Sequence, residues 1–216
     1  MFFNTLVQET AAAQQALFNR PVIQKTLAGE ITLSRYQAFL TQAYHHVKHT
    51  VPLLMACGSR LPERHYALQV AVAEYIEEEI GHDQWILNDL QTTGVDPDIV
   101  RYGTPAMATD LMVAYAYHQI DRGNPLAFFG MVHVLEGTSI ALATETAGLV
   151  KGSLGLPDNA FSYLTSHGSL DLEHVKFFEN LMNTLDNPDD QQVIIHAANV
   201  FYRLYGDVLS AVEEAA

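Results

Sequence analysis

Apolar residues return every three or four positions along nearly the whole 216-residue chain, and runs of alternating Val, Ile and Thr are few. That spacing lines apolar side chains along one stripe of an α-helix, whereas a half-buried strand needs a period of two. The pattern predicts an all-α chain with helices over 3–19, 21–28, 32–57, 63–91, 105–122, 125–150, a short one near 159, 168–184 and 189–213. The punctuation agrees: Pro21, Pro105 and Pro125 stand where a first helical turn accepts proline, Thr32 and Asn124 can cap, and Gly94 and Gly123 follow helix ends. Pro52 falls inside the second long helix, 32–57, and is expected to kink it, unless the helix ends there. No linker or internal repeat divides the chain, so residues 1–216 read as one domain. Its long helices, interrupted by polar residues, fit a bundle rather than a bilayer.

Charge narrows the partners. Eleven Lys and Arg against 25 Asp and Glu leave a formal charge of −14, which repels phosphate backbones and anionic lipid surfaces. Neither nucleic acid nor membrane is an expected partner. The first twenty residues lack a basic stretch ahead of their apolar positions, so the expectation is a soluble, cytoplasmic protein without a signal peptide. The single cysteine, Cys57, cannot form an intramolecular disulfide and reads as a packing residue in a reducing compartment. Ten histidines are the unusual feature, because imidazole is the commonest metal ligand; spacing decides which of them carry chemistry.

Four segments do. In SHGSLDLEHVKFF, His167, Asp171 and His174 are spaced four and then three apart, which puts them on one helical face. Mixed imidazole and carboxylate donors suit iron, manganese or zinc rather than calcium or magnesium; the bland alternative is a capping His, an exposed Asp and a helix-facing His. In EYIEEEIGHDQW, Glu79 and His82 form a Glu-x-x-His pair of the kind that carboxylate-bridged di-iron bundles place on an inward helical face. Glu78, four residues before His82, is the reserve, and a solvated run of Glu is the competing explanation. In FFGMVHVLEGTSIALATETA, Glu136 interrupts an apolar helix, where an unpartnered carboxylate is costly to bury and a metal ion is the simplest partner; His133 reads more readily as core. In QAYHHVKHTVP, His45 and His49, or His46 and His49, lie one turn apart and are open to metal binding, to a substrate carboxylate, or to water beside Lys48. Tyr75, near His82, is a candidate hydrogen-bond or electron donor, with a packed core tyrosine as the alternative.

On these residues the chain resembles the haem-oxygenase-like superfamily, which includes thiaminase-II (TenA), the pyrroloquinoline-quinone synthase PqqC and the haem-oxygenase-like diiron oxidases. The segment SRYQAFLTQAYHHVKHTVPLL resembles the TenA-type FL-x-Q-D-Y helix, GHDQW the second ligand helix, and His167, Asp171 and His174 the diiron oxidases' C-terminal ligand triplet. The resemblance implies a haem-oxygenase-like helical bundle. It implies two non-haem iron ions held by Glu79, His82, Glu136, His167, Asp171 and His174, with Glu136 bridging. O2 would be activated to oxidise a small fatty or amino acid-like substrate, with Tyr75, His45 and His49 as catalytic candidates, and homodimers are common among similar proteins. Two departures argue against thiamine-type hydrolysis: Gln42-Ala43-Tyr44 lacks the aspartate of the thiaminases, and Cys57 is not on the later helix that carries their nucleophile. Two alternatives stay open, a metal-independent TenA- or PqqC-like enzyme and a non-catalytic helical binding protein.

Overall fold

The computed structural model describes residues 1–214, apart from the side chains of 143–145, 167–174 and 214. Among the described residues the structure is helical throughout, with no strand. In chain order the helices are α1 (Phe2–Phe18), α2 (Pro21–Leu27), α3 (Leu33–Val47), α4 (Thr50–Arg60), α5 (Tyr66–Glu79), α6 (His82–Thr92), α7 (Pro97–Arg101), α8 (Met107–Arg122), α9 (Ala127–Leu154), α10 (Ser162–Met182) and α11 (Pro188–Glu214). Short 3-10 turns at Glu63–His65 and Asp158–Ala160 precede α5 and α10. The all-α expectation holds, and no single helix among the described residues is long and apolar enough to cross a membrane.

Two long segments expected as single helices are each broken in two. The first breaks between Val47 and Thr50, because the Pro52 ring would collide with the carbonyl of Lys48 in a continuous helix. Pro52 instead sits in the first turn of α4, where its missing N–H leaves no bond unmade. The second breaks at Ile80 and Gly81, where Gly81 takes φ +95°, a left-handed conformation that a residue with a Cβ resists. Glu79 is therefore the last residue of α5 and His82 the first of α6, so the expectation that they share the face of one helix is corrected, and so is the face-sharing of Glu78 with His82.

Helix α9 is the spine of the molecule and packs against α11, α10, α8 and α2. Its close approach to α11 depends on Gly130: a Cβ there would lie 2.7 Å from the Ala198 amide nitrogen and 2.9 Å from both the Ala197 Cβ and the Ile194 carbonyl oxygen. The largest apolar cluster surrounds this crossing, with Phe129, Met131, Val134, Ala198 and Phe201 at its centre. A second cluster, including Tyr36, Leu40, Ile86, Leu90 and Phe161, joins α3, α6 and the start of α10.

The start of α10 is fixed by a carboxylate that the sequence did not advertise. Asp89 is fully buried and accepts hydrogen bonds from the Ser162 and Tyr163 amides, at 3.0 and 2.9 Å, and from the Ser162 hydroxyl. An acceptor on otherwise unpaired N-terminal amides also meets the positive end of the helix dipole. The Tyr36 hydroxyl donates to the Ala160 carbonyl just ahead of it, at 2.7 Å. Together these bonds hold α10 against α3 and α6.

Candidate functional site

The break at Gly81 folds the chain so that Glu79 and His82 still meet: a carboxylate oxygen of Glu79 lies 3.1 Å from His82 Nδ1. His82 is buried, and its ring stacks on Trp85 with centroids 4.1 Å apart. Glu78 is exposed, while Glu79 faces the interior. Of the two adjacent carboxylates, only Glu79 reaches the internal cavity described next.

Across from this pair, one carboxylate oxygen of Glu136 is buried midway along α9. Tyr75 from α5 faces it, with the Phe177 ring edge-on to the tyrosine at 5.5 Å. Burial, followed by the negative charges of Glu136 and Glu78, pushes the Tyr75 hydroxyl well above its ordinary value. Tyr75 is thus held neutral, as a hydrogen-bond donor rather than a phenolate. Glu79, His82, Glu136 and Tyr75, joined by His46 from α3, all line one internal cavity of about 220 Å³. The rest of the wall is mainly apolar and includes Phe39, Leu53, Phe128, Met131 and Leu135.

The three histidine candidates at the end of α3 and the start of α4 part company. His46 lines the cavity and meets the Tyr205 ring edge-on at 6.0 Å. His45 and His49 lie outside the cavity wall: His45 Nδ1 is 3.3 Å from Lys48 Nζ, and His49 Nδ1 is 3.3 Å from the Tyr117 hydroxyl on α8. Burial and then the Lys48 charge lower both, His45 to about 4. Cys57 is buried with its thiol toward the Pro125 carbonyl, and burial pushes it up to about 12, as fits a packing residue.

His133 is core. It sits 3.2 Å from the Thr10 hydroxyl, among the rings of Phe3, Phe178 and Tyr202. Burial lowers it to about 4, against an ordinary value of about 6.5, so between those values the unfolded chain binds a proton that the folded chain refuses. Its contribution to stability is complete above pH 6.5 and falls as the pH drops toward 4, by an amount on the order of 3 kcal/mol. Thermal melts of the wild type should therefore shift downward from pH 7 to pH 4.5 more steeply than those of His133→Leu; parallel curves would show that His133 does not set this dependence.

The His167, Asp171 and His174 side chains lie outside the described residues. The described parts of α10 on either side of them border the site, since Tyr163 and Leu164 line the cavity and Phe177 touches Tyr75. Among the described residues no group of three His, Cys, Asp or Glu side chains is arranged to hold a metal ion.

Residues 37–206 match the family described as iron-containing redox enzyme. The chain belongs to this family. The chain is also similar to a 4-aminobenzoate synthase from Chlamydia muridarum, 24% identical over 204 residues that cover 92% of this chain and 86% of the relative. Among solved structures it is similar to a protein of unknown function with a haem-oxygenase-like fold from Shewanella denitrificans, with a TM-score of 0.88, 22% identity, and 98% and 92% of the two chains covered. A TenA homologue from Pseudomonas syringae superposes with a TM-score of 0.82 at 10% identity, covering 99% and 93%. Haem oxygenase-2 from Synechocystis does so with a TM-score of 0.78 at 13% identity, covering 99% and 85%. These likenesses establish the haem-oxygenase-like fold.

Proposed function

We propose that this member of the family is a non-haem di-iron oxidase or oxygenase that uses O2 to oxidise a small fatty or amino acid-like molecule. The observation that carries the reading is a half-buried carboxylate, Glu136, with one oxygen buried, sharing one mainly apolar cavity with the Glu79–His82 pair and with His46. Carboxylate and imidazole donors without thiolate are the set that suits a ferrous ion, so the described residues fit the metal by chemistry. Glu79, His82 and Glu136 would hold the ions, with His167, Asp171 and His174 on α10 supplying the remaining donors. When bound, the iron supplies the reductive activation of O2.

The chain's own residues do the rest. The neutral Tyr75 hydroxyl can donate to Glu136 and fix the orientation of that carboxylate. Phe39, Phe128, Met131 and Leu135 keep bulk water from the donors, which strengthens every charge interaction among them. His45 and His49, outside the wall, could act on the site only indirectly. A relative named for making 4-aminobenzoate supports an enzyme acting on a small organic molecule. The proposal extends to a homodimer, for which Ile99, Tyr102, Met107 and Leu111 on α7 and α8 and the turn after α7 offer exposed apolar side chains.

The test is anaerobic loading of the purified apo-protein with Fe(II), followed by O2. The expected result is two irons per chain, a transient visible absorbance that requires oxygen, and the mass of a dimer by light scattering. Less than one iron per chain with no oxygen-dependent transient would remove the oxidase reading. Full turnover in excess chelator would instead place the chain with the metal-independent members of the superfamily.

A further inference from the structure

One residue in the cavity wall has no part in the donor cluster. Arg35, in the first turn of α3, is the sole lysine or arginine among the described residues lining the cavity. The chain is acidic, and six of its eleven lysines and arginines, Arg20, Lys25, Arg60, Arg64, Arg101 and Lys151, have carboxylate partners among the described residues. Arg35 has none among the described residues. Its Nη1 donates to the Glu30 carbonyl at 2.8 Å, and its Nε is buried without an acceptor. A charged donor left without a bond in an apolar wall costs more than a neutral one, and a planar carboxylate is the partner that a guanidinium fork fits.

The position of Arg35 gives the cavity a direction. Arg35 and His46 lie on the same helix, separated by about 16 Å of helical rise. The Ser153 hydroxyl donates to the Gly29 carbonyl, setting the end of α9 beside the start of α3, and the Cys57 thiol toward the Pro125 carbonyl sets the start of α9 beside α4. Between the two ends the wall is apolar and includes Phe39, Val150, Leu164, Leu209 and Val212.

We propose that the cavity binds an amphipathic monocarboxylate, its carboxylate held by Arg35 at the start of α3 and its apolar chain running along the cavity toward Glu79, His82 and Glu136. One arginine with no second cation in the described wall matches a single negative charge better than a phosphate dianion. The far end of the molecule, not its carboxyl carbon, then meets the site of oxidation. That last statement rests on the iron reading above; the carboxylate anchor does not.

Calorimetric titration of the purified protein with decanoate, decanamide and decyltrimethylammonium tests the anchor. Decanoate is expected to bind at least ten-fold more tightly than decanamide, and the cation not at all. Arg35→Gln should reduce decanoate to the affinity of decanamide while leaving decanamide unchanged, with Arg35→Lys in between. Equal affinity of acid and amide in the wild type, absence of decanoate binding, or an undiminished acid preference in Arg35→Gln would each overturn the proposal. The wild-type comparison decides even if the variant does not fold.

The direction is read separately, from Mn(II)-loaded protein and decanoate labelled with 13C at either end. Stronger broadening of the methyl carbon is expected; stronger broadening of the carboxyl carbon reverses the orientation and removes it from the proposal. If Glu136→Gln retains Mn(II) yet keeps the acid preference, the metal reading fails and the Arg35 anchor stands.

Discussion

Glu136→Gln is expected to lower iron affinity at least a hundred-fold while leaving the apo-protein as stable as the wild type, or more so. Residues that only orient a metal ligand typically change affinity ten- to a hundred-fold, so a direct donor should exceed that range. Stability should move the other way, because the carboxylate interrupts an apolar stretch of α9 with one oxygen buried, and replacing a buried charge by a neutral group of the same shape removes a desolvation cost. A residue kept for packing would show the opposite, a lower melting temperature with iron binding intact. Iron stoichiometry and thermal melts of the apo forms measure both halves, and a variant with its full complement of iron would take Glu136 out of the site.

The second large effect is structural. Gly130→Val should destabilise the fold by about 3 kcal/mol or more, since even modest overpacking of a filled core costs about 1–3 kcal/mol. The added carbons would meet the Ala198 amide nitrogen and the Ile194 carbonyl of α11, at 2.7 and 2.9 Å for the Cβ alone. These are backbone atoms of a helix, so no single side chain can turn aside and the two helices must separate. Glu136 lies on α9 about 9 Å further along the axis, and the same displacement should weaken iron retention. Urea unfolding with a midpoint equal to that of the wild type would show that the α9–α11 crossing tolerates the spread.

How the candidate site was legible differs from residue to residue. Glu136 stood out because a carboxylate surrounded by Val, Leu, Ile and Ala on a helix needs a reason to be there, and the structure sets it in the cavity wall. The choice of Glu79 over Glu78 came from a three-residue spacing on an assumed continuous helix. The structure does bring Glu79 to His82, but through the left-handed turn at Gly81, so the proximity is real and the assumed helical face is not. Among His45, His46 and His49, spacing left all three open, because small shifts in helix rotation decide which one faces inward; packing turned His46 to the cavity and the other two toward Lys48 and Tyr117.

Arg35 and Asp89 carried no sequence signal beyond their charge. An arginine in a first helical turn and an aspartate in a polar helix both read as solvated, and only their distant neighbours make them otherwise. Asp89 meets residues 73 and 74 positions away, and Arg35 faces a wall built from α2, α9, α10 and α11 as well as its own helix.

By itself the sequence determined the all-α class, most of the helices and the carboxylate on α9, because periodicity, proline position and the cost of burying charge act within a few residues of one another. The two helix breaks lie just ahead of Pro52 and at Gly81, where local rules allow either a bend or an end. Only the tertiary structure decided between those outcomes, chose the histidine that lines the cavity, and brought Arg35 into the same wall as Glu79 and Glu136. Those features depend on groups brought together from far along the chain, and their free energies exist only once the helices have packed.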